Sequence, residues 1–114
     1  MENDCLFCKI IAGEIPSTRV YEDEYVYAFD DINPQAPVHT LVVPKEHSVN
    51  LTDPTLTAET LGNVMLAINK VAQIKGVDKT GYRVIQNNGE DASQSVHHLH
   101  FHILGGKHFS EGMV

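Results

Sequence analysis

Apolar and polar positions alternate most strictly near the C-terminal end of the chain. From His98 the order is His98, Leu99, His100, Phe101, His102, Ile103, a period of two that predicts a strand with one buried face. Leu99, Phe101 and Ile103 would fill one face and the three histidines the other. A helix would turn His100 roughly 200° away from His98 and scatter the row. Gly105-Gly106 closes the strand. Upstream, Leu61, Val64, Met65, Ile68, Val71 and Ala72 recur at the spacing of one helical face. They predict a helix from about Thr57 to Lys75, led in by Asp53-Pro54 and capped by Gly76. The β-rich runs Thr18–Glu22, Tyr25–Phe29, His39–Val43 and Tyr82–Gln86 predict four more strands, the first two joined by a tight turn at Asp23-Glu24. Asp30–Pro37 and Asn87–Ser93 are rich in turn residues and read as loops. Cys5–Ala12 reads as a short helical or turn segment closed by Gly13. The sum is an α+β fold: an antiparallel five-stranded sheet, built as hairpins and a meander, with one long helix and a short N-terminal helix. Without repeats or linkers, residues 1–114 are expected to form a single domain.

Same-face neighbours on a strand lie about 6.6 Å apart, and His98 and His102 about 13 Å, at about 3.3 Å per residue. His98 and His102 therefore cannot ligate one metal, whereas His100 and His102 can touch one phosphate. Incidental histidines on a polar face are the bland alternative, and strict spacing of three speaks against it. Imidazole near neutral pH is partly unprotonated and can attack phosphorus, giving a covalent phosphoramidate. Its neighbour one repeat along can stabilise charge developing on the phosphate. Spacing alone does not choose the nucleophile between His100 and His102. Ser95 and Gln94 precede the strand and could bond phosphate oxygens or a leaving group; plain loop polarity is the alternative. His39 could join the same pocket if its strand pairs beside the histidine strand; otherwise it is a strand-end histidine with its bonds satisfied.

The formal charge of −7 argues against a nucleic-acid surface, which needs clustered Lys and Arg, but not against one bound mononucleotide. Hydrophobic residues at 42% and charged ones at 20% are those of a globular protein. No run approaches the ~20 apolar residues of a membrane span. The stretch Met1–Lys9 is acidic without a long apolar run and is not read as a signal peptide. Both cysteines sit in one Cys-x-x-Cys, Cys5 to Cys8, so a cytoplasmic location with reduced thiols is expected.

Several segments in the same order carry a resemblance. Gln94–Gly105 resembles the histidine–apolar–histidine–apolar–histidine signature of the histidine triad family. Phe7–Pro16, Ala28–His39 and Val43–His47 resemble its nucleotide-binding branch, so the likeness spans nearly the whole chain. The resemblance implies an enzyme of the nucleoside phosphoramidase type, hydrolysing or transferring at the α-phosphate of a purine nucleotide through a nucleotidyl-histidine. It makes His100 the nucleophile, His102 a phosphate donor, and His39 and Ser95 members of the catalytic site. It chooses Asp31 over its equivalent neighbour Asp30 as the ribose ligand, a carboxylate being able to accept from both hydroxyls. Phe29, Ile32 and Ile10 would form the base slot. Asn87 would sit on the phosphate side, with Asn88 the alternative by one residue. The family pairs as a two-fold homodimer; the Val64, Met65, Ile68 stripe suits that or plain core. Two departures bear on the leaving group: His97 stands where a tyrosine is usual, and the Lys107–Val114 tail lacks a tryptophan-containing end. A zinc-stabilised nucleotide-binding or regulatory module with little turnover is the second reading. An enzyme acting on adenylated nucleic-acid ends is a third, weakened by the charge.

Cys5 and Cys8 supply half of a tetrahedral zinc site. His47 and His98 are the candidates for the other half, His98 being the histidine too far along for the phosphate. The set resembles zinc-bearing relatives, including galactose-1-phosphate uridylyltransferase, whose first triad histidine is a ligand. Such a Zn²⁺ would be structural. A pair of small buried hydrophobes and a redox Cys-x-x-Cys, which would want a βαβ setting, are the alternatives.

Overall fold

The structure is a computed structural model whose described residues are 4–113. Met1, Glu2 and Asn3, on which the reading of the N-terminal stretch partly rests, lie outside them, as does Val114. Two helices, α1 (Leu6–Ile11) and α2 (Ala58–Ile74), accompany five strands. These are β1 (Arg19–Glu22), β2 (Val26–Asp30), β3 (Val38–Pro44), β4 (Tyr82–Ile85) and β5 (Phe101–Gly105). All pairings are antiparallel, in the order β1-β2-β3-β5-β4. The expected meander thus holds for β1-β2-β3 only. Because β5 inserts between β3 and β4, those two run parallel and need a crossover, which contains α2.

The alternation from Leu99 onward sorts side chains to two faces as expected. Leu99, Phe101 and Ile103 join Val26, Ala28 and Val42 against Val64, Ala67, Ile68 and Val71 of α2. On the other side Phe7 and Ile10 of α1 pack on Tyr27, Phe29, Leu41 and Val43. The central strands are therefore apolar on both faces, which explains why β2 and β3 read as continuous rather than alternating runs. Thr57 caps α2, its hydroxyl accepting from the Thr60 N–H at 3.1 Å. Asp53 does not lead into the helix. Its carboxylate accepts from the N–H groups of Val49 and Thr55 in the preceding loop. The expected apolar stripe of α2 divides: Val64, Ile68, Val71 and Ala72 are core, while Met65 is exposed, as is Leu66 outside the stripe.

The histidine run is shifted from expectation in one respect. The paired ladder of β5 begins at Phe101, so His98 and His100 lie on the stretch just ahead of it. A bond from the Leu99 N–H to the Ser48 carbonyl, 2.6 Å, holds that stretch instead. At the far end Gly105 is required by packing, since a Cβ there would lie 2.8 Å from Val77 Cγ1. No helix among the described residues is long and apolar enough to cross a membrane.

Candidate active site

Sheet register brings the histidines together. Leu41 of β3 faces His102 of β5, and His39, two residues earlier on β3, is its diagonal neighbour on the same face. The Gln35 N–H donates to His39 Nδ1 at 2.9 Å. That nitrogen is thus the unprotonated one, and the proton sits on Nε2. His39 Nε2 lies 2.8 Å from His102 Nδ1, so it donates there and leaves the His102 proton on Nε2. His100 is set by its own backbone: Nδ1 donates to the His98 carbonyl at 2.7 Å. A carbonyl can only accept, so in the neutral ring His100 Nε2 carries a lone pair. Two adjacent imidazoles, 5.2 Å between centroids, are held in opposite tautomers, one presenting a base and the other a donor.

Burial disfavours the charged form of both rings. Burial is the main cause that lowers His100 below the ordinary imidazole value of 6.5, against opposing pulls from its bond to the His98 carbonyl and from Asp31. His102 is pushed down to about 4 by burial first and then by the charges of His100 and His39, with Asp31 again opposing. For His102, repulsion from neighbouring charge thus adds to the cost of burial.

His100 and His102 open into a cleft of about 350 Å³. Ile10, Phe29, Asp31, Ile32 and Ser95, all expected in the site, line it too. Asp31 and Asp30 are not equivalent. Asp30 is engaged by the Thr40 hydroxyl at 2.9 Å and by Lys75 Nζ at 3.1 Å. Asp31 takes the Asn33 N–H on one oxygen and keeps the other 3.5 Å from His39 Nε2. His39 is 6% exposed and stands behind His102 rather than in the cleft wall.

Gln94 is a correction. It does not line the cleft. Its amide accepts from the Gly89 N–H and from Asn50, and donates to the carbonyls of Val49 and Val96. A buried amide so fully bonded ties two loops together and fixes the approach to Ser95. Asn88 does similar work, accepting from the Leu51 N–H at 2.7 Å. Asn87 does not line the cleft either. Phe7 is the residue that the strand pattern missed. It lies edge-on to His100 with centroids 5.0 Å apart, and to Phe29 at 5.5 Å.

The second constellation is Cys5, Cys8, His47 and His98, whose ligand atoms all lie within 4.8 Å of one another. Cys5 Sγ is 3.3 Å from His98 Nδ1; Cys8 Sγ is 3.5 Å from His98 Nδ1 and 3.4 Å from His47 Nδ1. A tetrahedral zinc with ordinary Zn–S and Zn–N bonds has an S···N edge of about 3.6 Å. His98 Nε2 donates to the Pro44 carbonyl at 2.8 Å, which turns the Nδ1 lone pair toward the sulfurs and fixes the ring. Cys5 Sγ also accepts from the Cys8 N–H, capping α1. The cysteines form no disulfide. These four residues can hold a metal ion, and His98, 0% exposed, joins that site to His100 through its own carbonyl.

Residues 12–109 match the sequence profile of the HIT domain. The chain belongs to the histidine triad family. It is similar to a histidine triad protein from Clostridium difficile, 52% identical with a TM-score of 0.93 over 98% of each chain. It is similar to a HIT family hydrolase from Clostridium thermocellum, 49% identical with a TM-score of 0.93, covering 100% of this chain and 99% of that one. A histidine triad nucleotide-binding protein from Candida albicans is 35% identical, with a TM-score of 0.81 over 96% of this chain and 86% of that one. The histidine triad fold, with five antiparallel strands and two helices, is the one described above.

Proposed function

We propose that this chain hydrolyses purine nucleoside 5′-phosphoramidates through a nucleotide held covalently on His100. The observation that carries the reading is the pair of opposed tautomers, with a lone pair on His100 Nε2 beside an N–H on His102 Nε2. In the first step Nε2 attacks the α-phosphorus and forms a P–N bond while the bond to the amine breaks. The amine nitrogen takes a proton relayed from solvent by the exposed Ser95 hydroxyl. His102 donates to a non-bridging oxygen as charge gathers there. In the second step water attacks the same phosphorus, the bond to His100 breaks, and a nucleoside monophosphate leaves. Asp31 would accept from the ribose hydroxyls, and Ile10, Phe29 and Ile32 would hold the base.

Zn²⁺ is the metal that the Cys5, Cys8, His47 and His98 donor set suits best, two thiolates and two imidazoles in a closed tetrahedron. It would cross-link α1, the turn after β3 and the segment before β5. The exposed Met65 and Leu66 on α2 and Val84 on the edge strand β4 support a two-fold homodimer. A single cytoplasmic domain acting on mononucleotides, without nucleic acid or membrane, completes the proposal. The test is a panel of purine nucleoside phosphoramidates. Release of the monophosphate by the wild type and its loss in His100→Ala is the expected result. Turnover that survives in His100→Ala would overturn the reading.

A further inference from the structure

Cys5 and Cys8 carry a chemistry that the hydrolytic reading leaves unused. Their sulfurs lie within 4.8 Å of each other, and the Cys8 N–H donates to Cys5 Sγ at 3.3 Å. A backbone N–H aimed at a sulfur favours its thiolate, the form that reacts. Both residues belong to the first turn of α1, so side-chain rotation can bring the sulfurs to the bond length of a disulfide, about 2.05 Å. No strand precedes α1 among the described residues, so the pair is not set in the βαβ unit of a dithiol oxidoreductase. Resting on the reading of Cys5, Cys8, His47 and His98 as metal ligands, we propose that the two cysteines are a thiol–disulfide switch. A hydroperoxide joins them, the donor set falls from four to two, and His98 is released from the cluster that positions His100.

Access is the first observation. Cys5 and His47 line a surface cleft of about 490 Å³, and both cysteines are half-buried rather than enclosed. Buried structural sulfurs are inert, whereas this site offers one to a small oxidant. Cys8 does not line the cleft, so Cys5 is struck first and Cys8 resolves. The Cys5 thiolate attacks one peroxide oxygen; an S–O bond forms, the O–O bond breaks, and the other oxygen leaves and takes a proton from solvent. The Cys8 thiolate then attacks the sulfenic sulfur; the S–S bond forms and hydroxide leaves. Each sulfur gives up one electron, and the peroxide takes both. Coupling is the second observation. His98 Nδ1 is 3.3 Å from Cys5 Sγ and 3.5 Å from Cys8 Sγ, and the His98 carbonyl accepts from His100 Nδ1 at 2.7 Å. A disulfide is uncharged and is not a zinc ligand, so His98 loses the thiolates and the metal together. Its ring is fully buried and cannot turn to water in place, so the segment that carries it shifts, and the bond to His100 loosens.

The experiment treats the zinc-loaded protein with hydrogen peroxide, stops the reaction with catalase, and follows intact mass, zinc freed to a chromogenic chelator, Tm and hydrolysis of a purine nucleoside phosphoramidate. The expected result is a mass lower by two hydrogens, a Cys5–Cys8 disulfide in the peptide map, zinc freed in step with it, and a lower Tm. Hydrolysis should fall about fivefold, the fold-change of one ordinary hydrogen bond. A dithiol reductant with added zinc should restore all four. In Cys8→Ser oxidation should stop at a sulfenic acid on Cys5, captured by a cyclic 1,3-diketone. Sulfurs that resist peroxide, a gain of oxygen in place of the loss of hydrogens, or a disulfide that leaves zinc bound and hydrolysis unchanged overturns the proposal. If the protein takes up no zinc, the metal reading fails by itself; the disulfide must then form in the metal-free chain and slow hydrolysis, or the switch fails too. If wild type cleaves no phosphoramidate, affinity for AMP replaces hydrolysis: it must weaken on oxidation and return on reduction, and an unchanged affinity overturns the switch.

Discussion

Removing the metal should lower stability first and activity as a consequence. The perturbation is either a chelator or the Cys5→Ser/Cys8→Ser double variant. The four ligand atoms belong to α1, the turn after β3 and the segment before β5, and S···N distances of 3.3–3.5 Å already approach the tetrahedral edge of about 3.6 Å. Little rearrangement is needed on binding, so the binding free energy adds to folding almost directly. With free zinc at roughly 100 times Kd the gain is about 2.7 kcal/mol. For a domain of 114 residues each kcal/mol moves Tm by about 4 °C, so the shift is roughly 10 °C. The assay is a thermal melt with and without chelator, paired with elemental analysis of protein purified without one. His98 is both a ligand candidate and, through its carbonyl, the acceptor for His100 Nδ1. Activity should therefore fall as that contact loosens and return when zinc is restored. Less than about 0.2 zinc per chain, or a double variant with unchanged Tm, would refute the reasoning.

His39→Ala should lower kcat about tenfold with little change in KM, because it removes one hydrogen bond, about 1.4 kcal/mol, that fixes the His102 proton on Nε2. His39→Gln should recover part of the loss by donating from its amide; a rise in KM at constant kcat would instead place His39 in ground-state binding. Acidification should destabilise the fold through His102. Its folded value of about 4 lies below the ordinary 6.5, so the unfolded chain binds more protons between the two, and stability is full above about 6.5 and lost as pH falls toward 4. At 1.36 kcal/mol per pH unit the gap is worth roughly 3 kcal/mol, trimmed to about 2 by partial exposure. Urea midpoints at pH 7 and pH 4.5 in wild type and His102→Gln measure it, and an equal acid loss in both proteins would remove His102 as the cause.

Much of this was legible in the residues because the relevant physics is local. Period-two alternation is a property of neighbouring residues, so the faces of β5 could be read from Leu99, Phe101 and Ile103. The start of α2 near Thr57 was legible in the same way, but its cap was not: the entry was read at Asp53-Pro54, whose carboxylate bonds the preceding loop instead. Strand order was not legible. Whether β5 lies beside β3 or at an edge depends on which long-range pairing buries more surface, and no window of residues contains that comparison. The ladder's start at Phe101 depends on the same missing partner, since Leu99 bonds to Ser48 across the chain. Gln94 stayed open between two readings because a polar residue before the histidine strand has the same sequence signal whether its amide faces a ligand or two loops. Asp30 and Asp31 are chemically alike in the sequence, and only the fold separates them, engaging Asp30 with Thr40 and Lys75. Phe7 went unassigned because an aromatic between two cysteines gives no sign of which imidazole it will meet.

The central claim is that His100 Nε2 forms a bond to phosphorus. The direct measurement is a rapid-quench single turnover with enzyme in excess over a purine nucleoside phosphoramidate, followed by intact-protein and peptide mass spectrometry under neutral quench. A nucleotidyl adduct on the peptide containing His100, formed and lost at rates that account for product release and absent in His100→Ala, is the predicted result. Product formed with no adduct at any time point, or an adduct on His102, would contradict the account.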